Sequence, residues 1–160
     1  MSQSEQVSGN EKRKIRSTTR LYAIQALFQM EQLGLSTDEV VEEFVVHRFG
    51  EEYEEGQLSD GDEALFKSIV ESAVNYQAYI DQLTDRALVK KWPIARIDPT
   101  LRSLFRAAAA EITQIKTPPK IVITEYVALA HAFFPDGKEP NFVNAVLDHM
   151  AREVCPTEFS

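Results

Sequence analysis

The chain has 160 residues, a formal net charge of −8 and 44% hydrophobic residues. This length suits one domain with a substantial core, and no apolar run approaches the roughly 18 to 20 residues that a membrane span needs. Residues 1–11 lack the apolar stretch of a signal peptide, and the single cysteine, Cys155, cannot form an internal disulfide. We therefore expect a cytoplasmic protein without membrane association.

Charge is distributed unevenly along the sequence. The stretch KRKIRSTTR, which we call the basic segment (residues 12–20), contains Lys12, Arg13, Lys14, Arg16 and Arg20. Residues 31–63, by contrast, hold twelve acidic residues and one basic residue. The basic segment suggests a polyanionic partner, because Lys and Arg bind phosphates with release of counterions. A solubilising flank, or a contact with the protein's own acidic loop, is the alternative at this stage.

Helical periodicity dominates the first half of the chain. Apolar residues recur at three-to-four spacing over residues 21–33, and STDE at residues 36–39 has the pattern of a capping box that opens a second helix. Residues 50–62 lack periodicity and predict an acidic exposed loop. Residues 62–89 predict either one long helix or two helices joined near Asn75.

The second half continues the helical pattern. Asp98 and Pro99 fit an N-cap and the first helical position. A further helix is predicted from Pro119 to about Phe133, including IVIT at residues 121–124, and a last one begins around Asn141. We predict an all-α fold of six or seven helices, with a disordered basic tail at residues 1–15 and a single domain at residues 16–155.

No catalytic or metal-binding pattern is evident. His47, His131 and His149 lie in different segments without metal-ligand spacing. Cys155 and His149 lack a third group that would orient them for nucleophilic catalysis. Gly137-Lys138 lacks the upstream glycine of a phosphate-binding loop. The sequence therefore predicts no catalytic residue, no metal and no cofactor.

A nucleic-acid site would need both cations and aromatic side chains. Arg20 lies one turn before Ile24, so we expect its stem along the edge of the apolar stripe and its charged head in solvent. Arg16 falls one turn earlier on the same face, and residues 12–14 would become ordered only against a ligand. Phe142 falls at the margin of the apolar stripe of the last helix, where it could be core edge or could flank a groove.

Four stretches resemble, in order and spacing, the NusB family of bacterial transcription antitermination factors. They are RLYAIQALFQME, RSLFRAAAAEI, IVITEYVALAHAFF and, most specifically, NFVNAVLDHM. The resemblance runs from about residue 16 to 154. It implies two small packed helical bundles and a non-enzymatic role. Proteins of this family pair with NusE, the small-subunit ribosomal protein, and bind boxA RNA. The complex lets RNA polymerase read through terminators, notably in ribosomal RNA operons.

The resemblance also assigns residues. It places RNA contacts at Lys12, Arg13, Lys14, Arg16, Arg20, Gln25 and Phe142, and a contact with the partner protein at Phe28. Three features depart from the family pattern. Ser17, Thr18 and Thr19 replace part of an arginine block, Phe28 stands where tyrosine is common, and Lys138 stands where an acidic residue can help form the RNA-facing edge.

Two other functions stay open at this point. A NusB-like domain also forms the N-terminal part of some RNA cytosine methyltransferases, and we expect chain length to argue against that assignment because the sequence ends at Ser160. A purely protein-binding helical adaptor could instead use the face of residues 21–33, either for another protein or as a homodimer interface.

Overall fold

The computed structural model describes residues 9–49, 52–53, 56–57, 61–88 and 97–159. Seven α-helices account for most of them: α1 (Gly9–Leu33), α2 (Thr37–Glu43), α3 (Glu63–Asn75), α4 (Gln77–Ala87), α5 (Pro99–Ala110), α6 (Pro119–Phe133) and α7 (Glu139–Val154). Two residues each form β1 (Glu52–Tyr53) and β2 (Gly56–Gln57), which pair antiparallel. One π-helical turn extends α2 (Phe44–Arg48) and another extends α5 (Glu111–Ile115), and a 3₁₀ turn follows α7 (Pro156–Phe159). The predicted all-α fold is confirmed.

Local signals in the sequence fix several helix ends. The Ser36 side chain accepts from the Glu39 N–H while the Glu39 carboxylate accepts from the Ser36 N–H, so the predicted capping box is present. Asp98 caps α5 with Pro99 at its first position. Of the two arrangements that the sequence left open for residues 62–89, the structure has two helices, α3 and α4, interrupted at Tyr76. IVIT lies within α6, as predicted.

The first helix begins earlier than the sequence indicated. It starts at Gly9, so residues 9–15 of the predicted tail are helical. Nothing after Gly9 interrupts the helix before Gly34, because residues 10–33 contain neither glycine nor proline and include several Lys, Arg, Glu and Gln. Residues 1–8 lie outside the described part of the chain.

Two small helical bundles pack together, as the family resemblance implied, and α5 contacts both. In one, α1, α2 and α3 pack together around the aromatic rings of Tyr22, Phe44 and Phe66. In the other, α4, α6 and α7 pack together, and α5 contacts helices of both bundles. Residues 107–110 of α5 are four fully buried alanines, which let neighbouring helices approach closely. Among the described residues, no helix is both long and apolar enough to cross a membrane.

The α1–α5 contact decides where the charged residues lie. Arg20 of α1 contacts Glu111 at the end of α5, and Glu31 of α1 contacts Arg102 near its start. The two helices are therefore antiparallel, and moving toward the N-terminus of α1 means moving toward the loop that joins α5 to α6. This register brings the turn of α1 just before Arg20, which contains Arg16, beside that loop.

Candidate nucleic-acid interface

Four bases of the basic segment lie on the surface. Lys12, Arg13, Lys14 and Arg16 are all exposed, on the N-terminal part of α1. At about 100° per residue, Lys12, Arg13 and Arg16 fall within roughly 100° of the helix circumference, whereas Lys14 points to another side. We call these four residues the outer bases. A ligand can therefore contact their charged groups without any change in the core.

Arg20 is the exception, and the expectation that its head would reach solvent is wrong. Its side chain is only 3% exposed. Its Nε donates to Glu111 Oε2 at 2.7 Å and its Nη2 to Glu111 Oε1 at 3.0 Å. Burial opposes the charge on Arg20, but the bonds to Glu111 outweigh it and raise the pKa of the guanidinium. Arg20 thus lies one helical turn after the exposed Arg16, at a place where α1 is covered by α5.

The Glu111 carboxylate is the centre of a buried polar cluster. It also accepts from Tyr126 Oη at 2.6 Å and from Thr117 Oγ1 at 2.9 Å. Burial, followed by the charge of Glu111, raises the pKa of the Tyr126 phenol well above its ordinary value, so the phenol stays a donor. These four residues, the Glu111 cluster, join α1, α5, the α5–α6 loop and α6. They hold the outer bases at a fixed place on the molecule.

Among the three residues that replace part of the family's arginine block, Thr19 has a structural role. Thr19 is fully buried. Its hydroxyl donates to the Ile15 carbonyl at 2.7 Å and accepts from the Asp62 N–H at 2.7 Å. Because Asp62 is the N-cap of α3, Thr19 fixes the start of α3 against α1. An arginine at this position would have no room for its charged head.

Phe142 lies in the first turn of α7 and is partly buried. Its ring packs edge to face on Phe105 of α5, with the ring centroids 5.8 Å apart and the planes at 73°. Phe105 is six residues before Glu111, which corresponds to about 9 Å along the helix axis. Phe142 therefore combines a core contact with partial exposure, and it stands apart from the outer bases. Lys138, four residues before it, is exposed.

Gln25 and Phe28 meet in one groove. Gln25 is partly buried and Phe28 is 38% exposed. The groove has a volume of about 720 Å³ and runs along the C-terminal half of α1. It is lined by Ile24, Gln25, Phe28, Gln29, Gln32, Leu33, Glu43, Phe44, Arg48, Thr100 and Phe133. Apolar rings with amide groups beside them suit a protein segment that brings both apolar side chains and backbone polar groups. We call this the Phe28 groove.

Sequence reasoning missed three residues near the outer bases. Glu111 could have been found, because a lone acid that follows four alanines in an apolar run needs a buried partner. Lys116 and Lys120, both exposed, lie on either side of the two prolines of the α5–α6 loop. Nothing in the local sequence signals that this loop lies beside the start of α1, because only the α1–α5 register brings them together.

The structure gives no support for a metal site. In the part of the chain that the structure describes, no group of three or more His, Cys, Asp or Glu side chains could hold a metal ion. The three histidines are exposed and lie on three different elements. The clustered polar groups are instead those of Glu111 and its partners, which are mutually satisfied.

Comparisons with known proteins agree on one family. The model of the NusB family matches residues 17–152. Transcription antitermination protein NusB of Granulibacter bethesdensis is 42% identical over 157 residues, which cover 94% of this chain and 96% of that protein. Transcription antitermination protein NusB of Agrobacterium fabrum is 43% identical over 140 residues, covering 87% and 84%.

Solved structures agree on the fold. NusB from T. maritima superposes with a TM-score of 0.73 at 24% identity and covers 90% of this chain and 96% of that one. A chain of the crystal structure of antitermination factors NusB and NusE in complex with dsRNA superposes with a TM-score of 0.71 at 22% identity, covering 91% and 99%.

Proposed function

Since the chain belongs to the NusB family, we propose that it is a transcription antitermination factor that binds RNA together with a protein partner. The RNA is boxA of ribosomal RNA operons, the partner is NusE, and the assembled complex promotes read-through by RNA polymerase in the cytoplasm. One observation carries the RNA-binding part of this proposal: four exposed cations extend from a helix that a buried ion pair anchors to the core.

The outer bases supply affinity for RNA and not specificity for its sequence. Lys and Arg bound to phosphates displace counterions, so the affinity they give falls steeply with salt and is the same for any sequence. Arg20 has a different role from the one its sequence position suggested. It positions the outer bases through Glu111 and does not itself contact phosphate, because its charged head is engaged inside the protein.

Specificity for one RNA sequence has to come from contacts to the nucleobases. Phe142 is a partly exposed aromatic side chain beside α5, and an unpaired base can stack on such a ring. Gln25, in the wall of the Phe28 groove, carries an amide that can both donate and accept. NusE is assigned to the Phe28 groove, where Phe28 contributes an apolar surface without a hydroxyl. If the RNA is read partly by this chain and partly by NusE, both proteins are needed for a preference for boxA.

The two alternatives are less well supported. A methyltransferase would need a catalytic domain, whereas the NusB proteins cited above are matched over most of their own lengths by this chain, and their name is that of a transcription factor. A purely protein-binding adaptor would have no use for the outer bases. The Phe28 groove serves either kind of adaptor, so the groove does not discriminate between them.

The proposal is tested by binding of fluorescently labelled boxA RNA and a scrambled RNA of equal length, with and without NusE, over a salt series. We expect the complex with NusE to prefer boxA, and the logarithm of its association constant to fall linearly with the logarithm of salt concentration. Equal weak affinity for both RNAs, with and without NusE, would contradict it.

Arg16→Glu is the matched variant for this test. It should weaken boxA binding markedly, since it replaces a phosphate-binding cation by a repelling charge. Lys67→Glu is the control, because Lys67 lies on α3 and pairs with Glu63 of its own helix. If both charge reversals leave binding by the NusE complex unchanged, the protein-only adaptor becomes the better assignment.

A further inference from the structure

We propose that the loop between α5 and α6 is a second phosphate-contacting element, which uses Lys116 and Lys120 and lies beside the outer bases. The inference rests on the proposed RNA-binding function and extends it to a loop outside the residues that the family resemblance assigned. Its basis is that both lysines occupy backbone positions where local structure disfavours them, and that the α1–α5 register brings both toward one edge of the molecule.

Lys116 has a backbone conformation that normally belongs to glycine. Its φ is 67° and its ψ is 32°, and it is the one non-glycine residue with positive φ among those described. It ends the π-helical turn, and the following Thr117 N–H donates back to the Glu111 carbonyl at 3.0 Å. Glycine is common at such a left-handed helix end because it lacks the Cβ that causes strain. The Lys116 side chain is exposed, so packing does not explain why lysine is there.

Lys120 also occupies a position that the local backbone structure disfavours for lysine. It is the second residue of α6, and its side chain is exposed. The N-terminal end of a helix carries partial positive charge, which favours Asp or Glu there and disfavours Lys. The first turn of α6 contains no acidic residue, and Pro118 provides no side-chain cap. Positive charge therefore accumulates at this helix end, and an anion would relieve it.

The fold places this loop beside the outer bases. Thr117 donates to the same Glu111 carboxylate that Arg20 binds, so the residue after Lys116 lies next to the buried head of Arg20. Continuing the antiparallel register of Glu31 with Arg102 and Arg20 with Glu111, one turn back along α1, brings Arg16 opposite residues 115–116. The charge of Glu111 is already balanced by Arg20. Glu125 of α6 also acts on the Arg20 charge. The positive charge of this edge therefore comes from the exposed side chains of Arg16, Lys116 and Lys120 themselves.

Positions where a sequence opposes local preference without a packing gain are expected at functional sites. A lysine without function at this strained position predicts that glycine there stabilises the fold and leaves RNA binding unchanged. A lysine retained for phosphate contact at a strained position predicts opposite changes: glycine there should stabilise the fold and weaken the RNA complex. This opposition in sign is what the experiment measures.

The experiment uses the full chain with NusE and labelled boxA RNA, measured by fluorescence anisotropy over a salt series, with thermal unfolding of each variant alone. Lys116→Gly should raise the thermal midpoint while lowering RNA affinity by about three- to tenfold at low salt. The slope of log affinity against log salt should become shallower by about 0.7, the value for one phosphate contact to single-stranded RNA. Lys120→Gln should reduce affinity and slope similarly.

Two further variants serve as controls. Lys116→Arg keeps the charge and the backbone strain, so it should keep the wild-type affinity and slope. Lys67→Ala removes a lysine that lies on α3 and should leave both unchanged. If Lys116→Gly and Lys120→Gln bind boxA with wild-type affinity and slope, while the wild type binds as proposed, this inference is overturned and the proposed function stands. If the wild type with NusE shows no preference for boxA, the proposed function fails, and this inference with it.

Discussion

Arg16 and Arg20 lie one turn apart on the same side of α1, and their surroundings are opposite. The Arg16 side chain is in solvent, whereas the Arg20 side chain is 3% exposed and held by two bonds to Glu111. The difference arises because Glu111, in the π-helical turn that extends α5, binds Arg20, whereas Arg16 lies one turn closer to the start of α1, in solvent. Position relative to the end of a neighbouring helix, not residue type, decides which arginine stabilises the fold and which can bind a ligand.

The two arginines should therefore fail in different assays. We expect substitution of Arg20 to lower the free energy of unfolding, and substitution of Arg16 to lower the affinity for RNA. Phe142 lies between these extremes, because its ring is both a packing surface and a candidate for stacking. Glu31, which pairs with α5 at the other end of α1, provides a solvent-exposed counterpart to the buried pair.

The largest effect is expected for Arg20→Met. It leaves the Glu111 carboxylate buried with only the hydroxyls of Tyr126 and Thr117 as partners. Breaking a buried ion pair in this way typically lowers the free energy of unfolding by about 3–5 kcal/mol. Urea unfolding at pH 7 measures it, with Arg16→Met as the matched control, which should change the free energy by no more than about 0.5 kcal/mol. Equal small effects for both variants would show that the Arg20–Glu111 pair is not what anchors α1.

A second effect separates the two roles of Phe142. Phe142→Leu keeps an apolar side chain against Phe105 but removes the aromatic face. The free energy of unfolding should fall by less than about 1.5 kcal/mol, while the free energy of boxA binding with NusE should weaken by about 1–3 kcal/mol if a base stacks on the ring. Anisotropy titration and urea unfolding of the same variant measure the two quantities. Wild-type RNA affinity in Phe142→Leu would make Phe142 a core-edge residue only.

These comparisons also show how far the sequence predicts the molecule. Helix periodicity, the Ser36 capping box and the Asp98-Pro99 start are local patterns, and each is confirmed. The orientation of Arg20 is not local. Seen in α1 alone, it is an amphipathic side chain at the edge of an apolar stripe. Its partner is 91 residues away, so only the α1–α5 register decides that its head is buried.

The same reasoning applies to the candidate site. The outer bases could be predicted because four cations in a short stretch are visible in the sequence itself. The αL conformation of Lys116 could not, since nothing in QIKTPP distinguishes it from a lysine in an ordinary loop. Thr19 looked like a gap in an arginine block, and its contact with the start of α3 became visible only in three dimensions.

The smallest effect concerns Glu31, whose bonds to Arg102 and Arg106 form the exposed counterpart of the buried pair. The bond from Arg102 lowers the pKa of Glu31 below its ordinary value. The folded state therefore binds its proton less readily than the unfolded state does. Stability from this carboxylate is complete above the unfolded pKa of about 4.3 and is lost as pH falls through the lower folded pKa.

Glu31→Gln should thus lower the free energy of unfolding by only about 0.3–1 kcal/mol at pH 7, because the pair is partly exposed and partly screened by solvent. The difference from wild type should shrink as pH falls below about 4, and it should also shrink in 1 M NaCl. Urea unfolding of both proteins from pH 3 to 7 measures it. For Arg20→Met the loss should persist in 1 M NaCl, because a buried pair is screened much less. An equal salt response in the two variants would mean that burial does not distinguish the two ends of the α1–α5 contact.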